Sequence, residues 1–372
     1  MLKPNLGDRL ELQIDSLSFP SGFGVGRSQQ FVFFVPFSCP QDLLSVEVTK
    51  VKKNYAEAKI LEILTPSPQR SEPPCPYYFN CGGCSLQHMQ YDAQVFEKKK
   101  VLTSTLSKFL HRKIILNSFN PSEEPLRYRT RLQVYIKNQQ VGFFQNRSKN
   151  HVPIKDCLLA KEKLTQAFPQ LEDKRYNNKK IDLFIDEKEK VNFILNDHNL
   201  NTAHFQQANQ SLNHRLKETI VNKIEHFTSE IETIYDLYCG SGNYSIELAK
   251  KFPNISVIGV DISKRLISKA QTQTKDLKNI QFIAKNISDF LTKENLKQNS
   301  MIVVNPPRTG LEKIVSLSLK KSSLKKLLYV SCNPSTLARD LIDLEDFSLT
   351  EIHGFDMFPQ TMHMETVSFL CR

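Results

Sequence analysis

From residue 231 onward the chain alternates short apolar runs with helix-like stretches, and that alternation admits few folds. Ile231 to Tyr238, Ser256 to Val260, Met301 to Val304 and Leu327 to Val330 are too apolar for strands with a solvated face. The segment Tyr244 to Lys251 between the first two has helical spacing. Strand, helix, strand in repetition predicts an α/β domain built on a parallel sheet. Parallel sheets bind ligands at the carboxyl ends of their strands, so the residues ending each run are the candidates for function.

The first run ends in Asp236-Leu-Tyr238-Cys239-Gly240-Ser-Gly242-Asn243. Glycines in a strand-to-helix turn let a ligand approach the backbone. The second run ends in Asp261, 21 residues after Gly240, where a carboxylate can accept from ribose hydroxyls. A dinucleotide fingerprint would carry a third glycine where Ser245 stands, so the pattern favours S-adenosylmethionine over NAD. Asn286 is placed where an adenine would sit, or is a simple turn asparagine. The third run leads into Asn305-Pro306-Pro307-Arg308-Thr309-Gly310, a rigid lip at a strand end.

The fourth run stops in Ser331-Cys332-Asn333-Pro334. A thiol delivered to a tight turn at a strand end can face a cleft and act as a nucleophile; a packed cysteine is the plainer alternative. Near the end of the chain, Met362-His363-Met364-Glu365 precedes a last strand over Thr366 to Leu370, and Glu365 at its mouth is a candidate base or a solvated acid.

The first half reads differently. Residues 1–64 alternate apolar and polar at Leu10, Leu12 and Ile14 and at Val46 and Val48, with a further strand expected over Tyr55 to Leu61. A five-stranded barrel with basic turns suits RNA, and a plain barrel with solvated lysines fits as well. A proline-rich linker leads to Cys75, Cys81 and Cys84, and Cys157 is the best candidate for a fourth soft ligand. Four thiolates suit zinc or an iron–sulfur cluster. Residues 94–118 have helical spacing, and Arg127, Arg129 and Arg131 head a strand where they could bind phosphate. Residues 165–200 are polar and carry little signal, and Lys174 to Lys180 is expected to be a solvated turn. Phe205-Gln206-Gln207-Ala208-Asn209 precedes a helix starting near Leu212.

Lysine and arginine number 50 against 39 aspartates and glutamates, a formal charge of +11 that favours a polyanionic partner. No apolar run approaches the roughly 20 residues of a membrane span and no signal-peptide core is visible, so a cytoplasmic protein is expected. In a reducing compartment the eight cysteines point to metal or catalysis rather than disulfides.

Taken together, the four cysteines, Asp236 to Asn243, Asn305 to Gly310, Ser331 to Pro334 and His363-Met364-Glu365-Thr366 resemble the RNA uracil-5-methyltransferases that carry an N-terminal TRAM domain and an iron–sulfur cluster. The resemblance covers nearly the whole chain. It implies a TRAM-like OB-fold over residues 1–64, a central α+β domain over 65–204 and a Rossmann-like class I methyltransferase domain over 205–372. It implies a [4Fe–4S] cluster on Cys75, Cys81, Cys84 and Cys157, and S-adenosylmethionine contacts from Gln207, Tyr238, Asn243, Asp261, Asn286 and Asn305. Cys332 would be the nucleophile and Glu365 the base for methylation of uracil carbon 5. The TRAM-like domain and the three arginines would contact the RNA, ribosomal RNA before transfer RNA, and the protein is expected to be a monomer. Asn305 departs from the family, which has aspartate there, and leaves open an impaired RNA-binding homologue. A methylase of exocyclic nitrogens would want an aromatic residue where Arg308 stands.

Overall fold

A computed structural model describes residues 3–186, 188–195, 207–294 and 296–372. The chain forms two compact units, one of residues 1–101, 122–210 and 357–363, the other of residues 102–121, 211–356 and 364–372. Among the described residues no helix is long and apolar enough to cross a membrane.

The first unit opens with a closed barrel of β1 (Arg9–Leu17), β2 (Gly24–Ser28), β3 (Phe31–Val35), β4 (Leu43–Val51) and β5 (Tyr55–Thr65), in the order β1-β2-β3-β5-β4. The period-two pattern is the cause. In β1 Leu12 and Ile14 point inward, and in β4 Leu44, Val46 and Val48 do so, making one core with Phe31 and Phe33. Closure pairs every strand edge, so the barrel offers no open ladder.

Asp42 ties this barrel to the linker that follows. Its fully buried carboxylate accepts from the Cys39 N–H at 2.6 Å, the Ser67 N–H at 2.9 Å, and Arg70 Nε and Nη2 at 2.8 and 2.7 Å. Beyond the linker, α1 spans Tyr91–Phe109. It is shorter than the periodicity over 94–118 predicts. His111 takes a left-handed φ of 51° and ends it, and Ser118–Asn120 becomes a short strand, β6.

A five-stranded antiparallel sheet completes this unit: β7 (Arg131–Lys137), β8 (Gln140–Phe144), β9 (His151–Pro153), β10 (Lys180–Ile185) and β11 (Val191–Leu195), ordered β11-β10-β7-β8-β9. Leu132, Val134 and Ile136 of β7 pack with Leu164 of α2 (Glu162–Gln166) and with Phe168 and Leu171. The segment expected to carry little signal supplies two of these strands. Ile181, Leu183 and Ile185 of β10 are buried in this core, although β10 begins at Lys180, in a lysine-rich stretch.

The second unit carries the alternation seen in the sequence. After α3 (Gln210–Glu225) come β12 (Thr233–Leu237), α4 (Ser245–Lys251), β13 (Ser256–Asp261), α5 (Lys264–Gln273), β14 (Ile280–Ala284), α6 (Ile287–Lys293), β15 (Ser300–Val304), α7 (Lys313–Lys321), β16 (Lys326–Ser331), α8 (Pro334–Asp343), β17 (Ser348–Phe355) and β18 (Glu365–Cys371). The sheet order is β14-β13-β12-β15-β16-β18-β17-β6. Strands β12 to β16 run parallel, and β18 enters antiparallel beside β16. Every residue of β12 and β15 is buried, as strands covered on both faces require. The order reverses between β12 and β15, a topological switch point of the kind that opens a crevice at the carboxyl ends.

Replacing Asp42 by alanine leaves two buried N–H groups without their acceptor and Arg70 without its counter-charge, with only its bond to the Phe37 carbonyl at 3.1 Å retained. The expected loss is about 3–5 kcal/mol of unfolding free energy, read from the urea midpoint. A loss below about 1 kcal/mol, the size of an ordinary surface substitution effect, would show that the carboxylate does not hold the linker.

Candidate active site

The switch-point side of the second unit gathers the residues that end the parallel strands. After β12 the chain turns through Tyr238, Gly240 and Gly242, with φ of 63°, 57° and 87°. Position 242 requires glycine twice over: the angle is left-handed, and a Cβ there would come within 3.0 Å of Ile246 and Phe282. Asp236 is fully buried beneath this turn and accepts from the Ser245 N–H at 3.0 Å and from the Ser245 hydroxyl. Burial raises its carboxyl to about 7 against the lowering effect of those two bonds.

Asp261, closing β13, stitches two strand ends together. One oxygen accepts from the Gly240 N–H at 2.9 Å and the other from the Ser263 N–H at 2.8 Å. Asn243 exchanges amide hydrogen bonds with Asn213 of α3 at 3.1 and 3.2 Å. Asn286 follows β14 and caps α6, its Oδ1 accepting from the Ser288 N–H at 2.8 Å and hydroxyl at 2.6 Å. Asn305 follows β15, is half-buried, and donates its N–H to the Leu237 carbonyl at 3.2 Å. Five of the six cofactor candidates thus end four adjacent strands. Gln207 belongs to the other unit; its neighbours Phe205 and Gln206 lie outside the described residues.

Cys332 lies one residue past β16, at the point where Asn333 caps α8 with Pro334 at its first turn. Asn333 Oδ1 accepts from the Ser335 N–H at 3.0 Å, and its Nδ2 donates to the Arg308 carbonyl at 3.2 Å. The thiol-bearing turn is therefore joined to the lip after β15. That lip is anchored from below by Asp340, whose buried carboxylate accepts from the Leu311 N–H at 2.7 Å and the Tyr329 hydroxyl at 2.5 Å. Gly310 makes room for it: φ is 77° and a Cβ would stand 2.5 Å from Asp340 Oδ2.

Strand β18 brings Glu365 to the same place. Ser331 pairs with Thr366 at the end of the antiparallel register, and Cys332 and Glu365 are the next residue on each chain segment. The Thr366 hydroxyl donates to the Ser331 carbonyl at 3.1 Å and pins that register. Glu365 is 7 % exposed. Burial lifts its carboxyl to about 8, with the Arg308 charge pulling the other way. Burial first and the Glu365 charge second push the Cys332 thiol up to about 11, and Arg308 opposes both. A thiol, a carboxyl and a guanidinium, from three separate stretches of sequence, act on one another electrostatically. Neither Arg308, as a partner of this pair, nor Asp340 could be anticipated. The first looks like part of a rigid loop and the second lies 30 residues beyond the glycine it meets.

In the first unit, Cys75, Cys81, Cys84 and Cys157 line a single cavity of about 230 Å³. Burial raises all four thiols, Cys81 to about 11 and Cys84 to about 12. Among the described residues no three His, Cys, Asp or Glu groups converge on a point as one metal ion requires. The four soft donors instead border one shared space. The three arginines expected to meet phosphate also have partners within the protein. Arg127 forms a two-pronged bond to Asp156 at 2.8 and 2.6 Å, and Arg131 pairs with the buried Asp182 at 3.1 Å. Arg129 lines the cysteine cavity. Cys39 and Cys239 are buried core thiols.

Comparison with known proteins agrees with this geometry. The family model described as tRNA (Uracil-5-)-methyltransferase matches residues 174–372, and the TRAM domain model matches residues 4–61. An uncharacterized RNA methyltransferase of Bdellovibrio bacteriovorus is 33% identical over 99% of this chain and 96% of its own length. A 23S rRNA (uracil(1939)-C(5))-methyltransferase of Shewanella amazonensis is 29% identical over 98% of this chain and 96% of its own. Among solved structures, the Pyrococcus abyssi tRNA (uracil-54, C5)-methyltransferase, in complex with S-adenosyl-L-homocysteine, superposes with a TM-score of 0.73 at 23% identity, over 97% of this chain and all of that one. The family match over more than half its length and the 33% identity to a relative over 99% of the chain show that the chain belongs to the S-adenosylmethionine-dependent RNA uracil-5-methyltransferases, with an N-terminal TRAM domain.

Proposed function

We propose that the protein methylates carbon 5 of a uridine in ribosomal RNA through a covalent bond between Cys332 and carbon 6 of the base. The observation that carries this reading is the register ending at Ser331 and Thr366, which leaves Cys332 and Glu365 as the next residue on each strand, together with the effect of the Glu365 charge on the thiol. The whole-length similarity to a 23S rRNA enzyme supports ribosomal RNA as the substrate class.

Carbon 5 of uracil is a poor nucleophile. When the Cys332 thiolate adds to carbon 6, the electron pair of the 5,6 double bond moves to carbon 5 and the adjoining carbonyl, giving an enolate. Bound S-adenosylmethionine would supply an electrophilic sulfonium methyl, carbon 5 forming the new bond as the methyl–sulfur bond breaks and S-adenosylhomocysteine leaves. Glu365 then removes the carbon 5 proton, the double bond re-forms, and Cys332 leaves as thiolate. One difficult substitution becomes three easier steps. Arg308 favours the charged form of the thiol. Residues Tyr238, Asn243, Asp261, Asn286 and Asn305, with Gln207, are the proposed cofactor contacts. The barrel and the net charge of +11 are the proposed grip on RNA. The target base leaves its stack to reach the thiol, at about a few kcal/mol.

Cys332→Ala should lower methyl transfer by several orders of magnitude and abolish the adduct with RNA containing 5-fluorouridine. Undiminished turnover would remove the nucleophile from this scheme.

Glu365→Gln should form the adduct and release it about 10²–10⁴-fold more slowly, the usual worth of a positioned acid–base group. Glu365 must be ionised to take the proton, and its carboxyl titrates near 8, so wild-type turnover should rise between pH 7 and 9. The variant should lack this limb, and an identical pH profile in both would reassign the base. The stability sign is opposite. The folded protein holds this proton more tightly than the unfolded chain, so the stabilisation is full below about 4.5 and lost as pH rises through about 8.

We also propose that the four-cysteine cavity holds a [4Fe–4S] cluster. Protein purified without oxygen should be brown, with about four iron atoms per chain. Stoichiometric zinc, or no metal at all, would refute the assignment.

A further inference from the structure

The cysteine cavity has neighbours that the reading above leaves unused. Gln87 is 2 % exposed, and its side-chain amide touches two of the cysteine segments. Nε2 donates to Cys84 Sγ at 3.1 Å, and Oε1 accepts from the Cys75 N–H at 3.3 Å. This amide has one workable orientation. Turned over, it would set oxygen against sulfur and NH₂ against a backbone N–H, losing both bonds. A second donor, the Gly83 N–H, reaches Cys81 Sγ at 3.4 Å.

Arg129 acts from another wall. Its guanidinium stands 5.7 Å from the Tyr128 ring centroid and 5.8 Å from that of Phe358, and its Nε donates to the Tyr128 hydroxyl at 3.3 Å. It lines the same cavity as the four cysteines. The sulfurs thus meet N–H donors and a fixed cation.

We propose that Gln87 is a positioning residue of this site, holding Cys84 as a ligand and making the bound cluster easier to reduce. The proposal rests on the four-cysteine cluster reading given above. A cluster with four thiolates is already anionic, and another electron adds negative charge. An N–H aimed at a ligand sulfur stabilises that charge more in the reduced than in the oxidised state, so the potential rises. Arg129 acts in the same direction. A glutamine that only filled the loop would have no such effect.

The test is a redox titration of anaerobically purified protein, wild type against Gln87→Leu, followed by electron paramagnetic resonance, with iron assayed in both. Gln87→Met, which keeps an unbranched side chain of similar length without the donor, replaces the leucine variant if that fails to fold. The variant should keep its iron, and its ratio of reduced to oxidised cluster at a fixed applied potential should fall about tenfold, which is about 59 mV for one electron. A variant that keeps its iron and titrates with the wild type overturns the proposal. Wild-type protein without iron overturns the cluster reading itself, which separates the two failures.

Discussion

The antiparallel pairing of β18 with β16 is the constraint on which the site depends. A parallel sheet alone could deliver Cys332 to the end of β16 but could not bring a residue from the last strand of the chain beside it. A strand that enters in the reverse sense begins where its neighbour ends. Its first residue, Glu365, therefore falls opposite the residue that follows β16. Because side chains alternate along a strand, a slip of one position would turn Glu365 away from the thiol. The Thr366 bond to the Ser331 carbonyl and the burial of β18, whose Val367, Phe369 and Leu370 are all core residues, oppose such a slip.

That placement gives both groups their character. Burial makes both the carboxyl and the half-buried thiol hold their protons more tightly than in water, and the Glu365 charge further disfavours ionisation of the thiol. Arg308 is the counterweight. It projects from a lip that two prolines stiffen and that Asp340 holds through Leu311. Asp340 in turn depends on a tyrosine of β16, the same strand that presents the thiol. Lip and turn are thus fixed to one support, so their spacing does not vary with each independently.

The cysteine cavity shows the same economy in a different material. Four thiols raised by burial would be costly to ionise in an empty hollow. The surrounding N–H donors and the Arg129 charge make sense for sulfurs that carry negative charge. The arginines beside it have partners that their local sequence does not reveal. Arg127 and Arg131 are paired with Asp156 and Asp182, 29 and 51 residues further along the chain.

Local sequence determined a good deal here. The apolar runs of β12, β13, β15 and β16 and the turn residues that end them were legible, because strand burial and glycine or proline geometry are properties of adjacent residues. The thiol at a strand end, the acid at the mouth of the last strand and the set of four cysteines were legible for the same reason. Strand β10 was not, since its isoleucines and leucine follow a lysine-rich stretch and only the opposing core of β7 accounts for their burial. Helix α1 was overdrawn into β6, whose state depends on pairing with β17. Whether Cys332 meets Glu365, and whether Asp340 meets the lip, only the tertiary structure decided. Those pairs are joined by strand register and packing across tens of residues, and no local propensity carries that information.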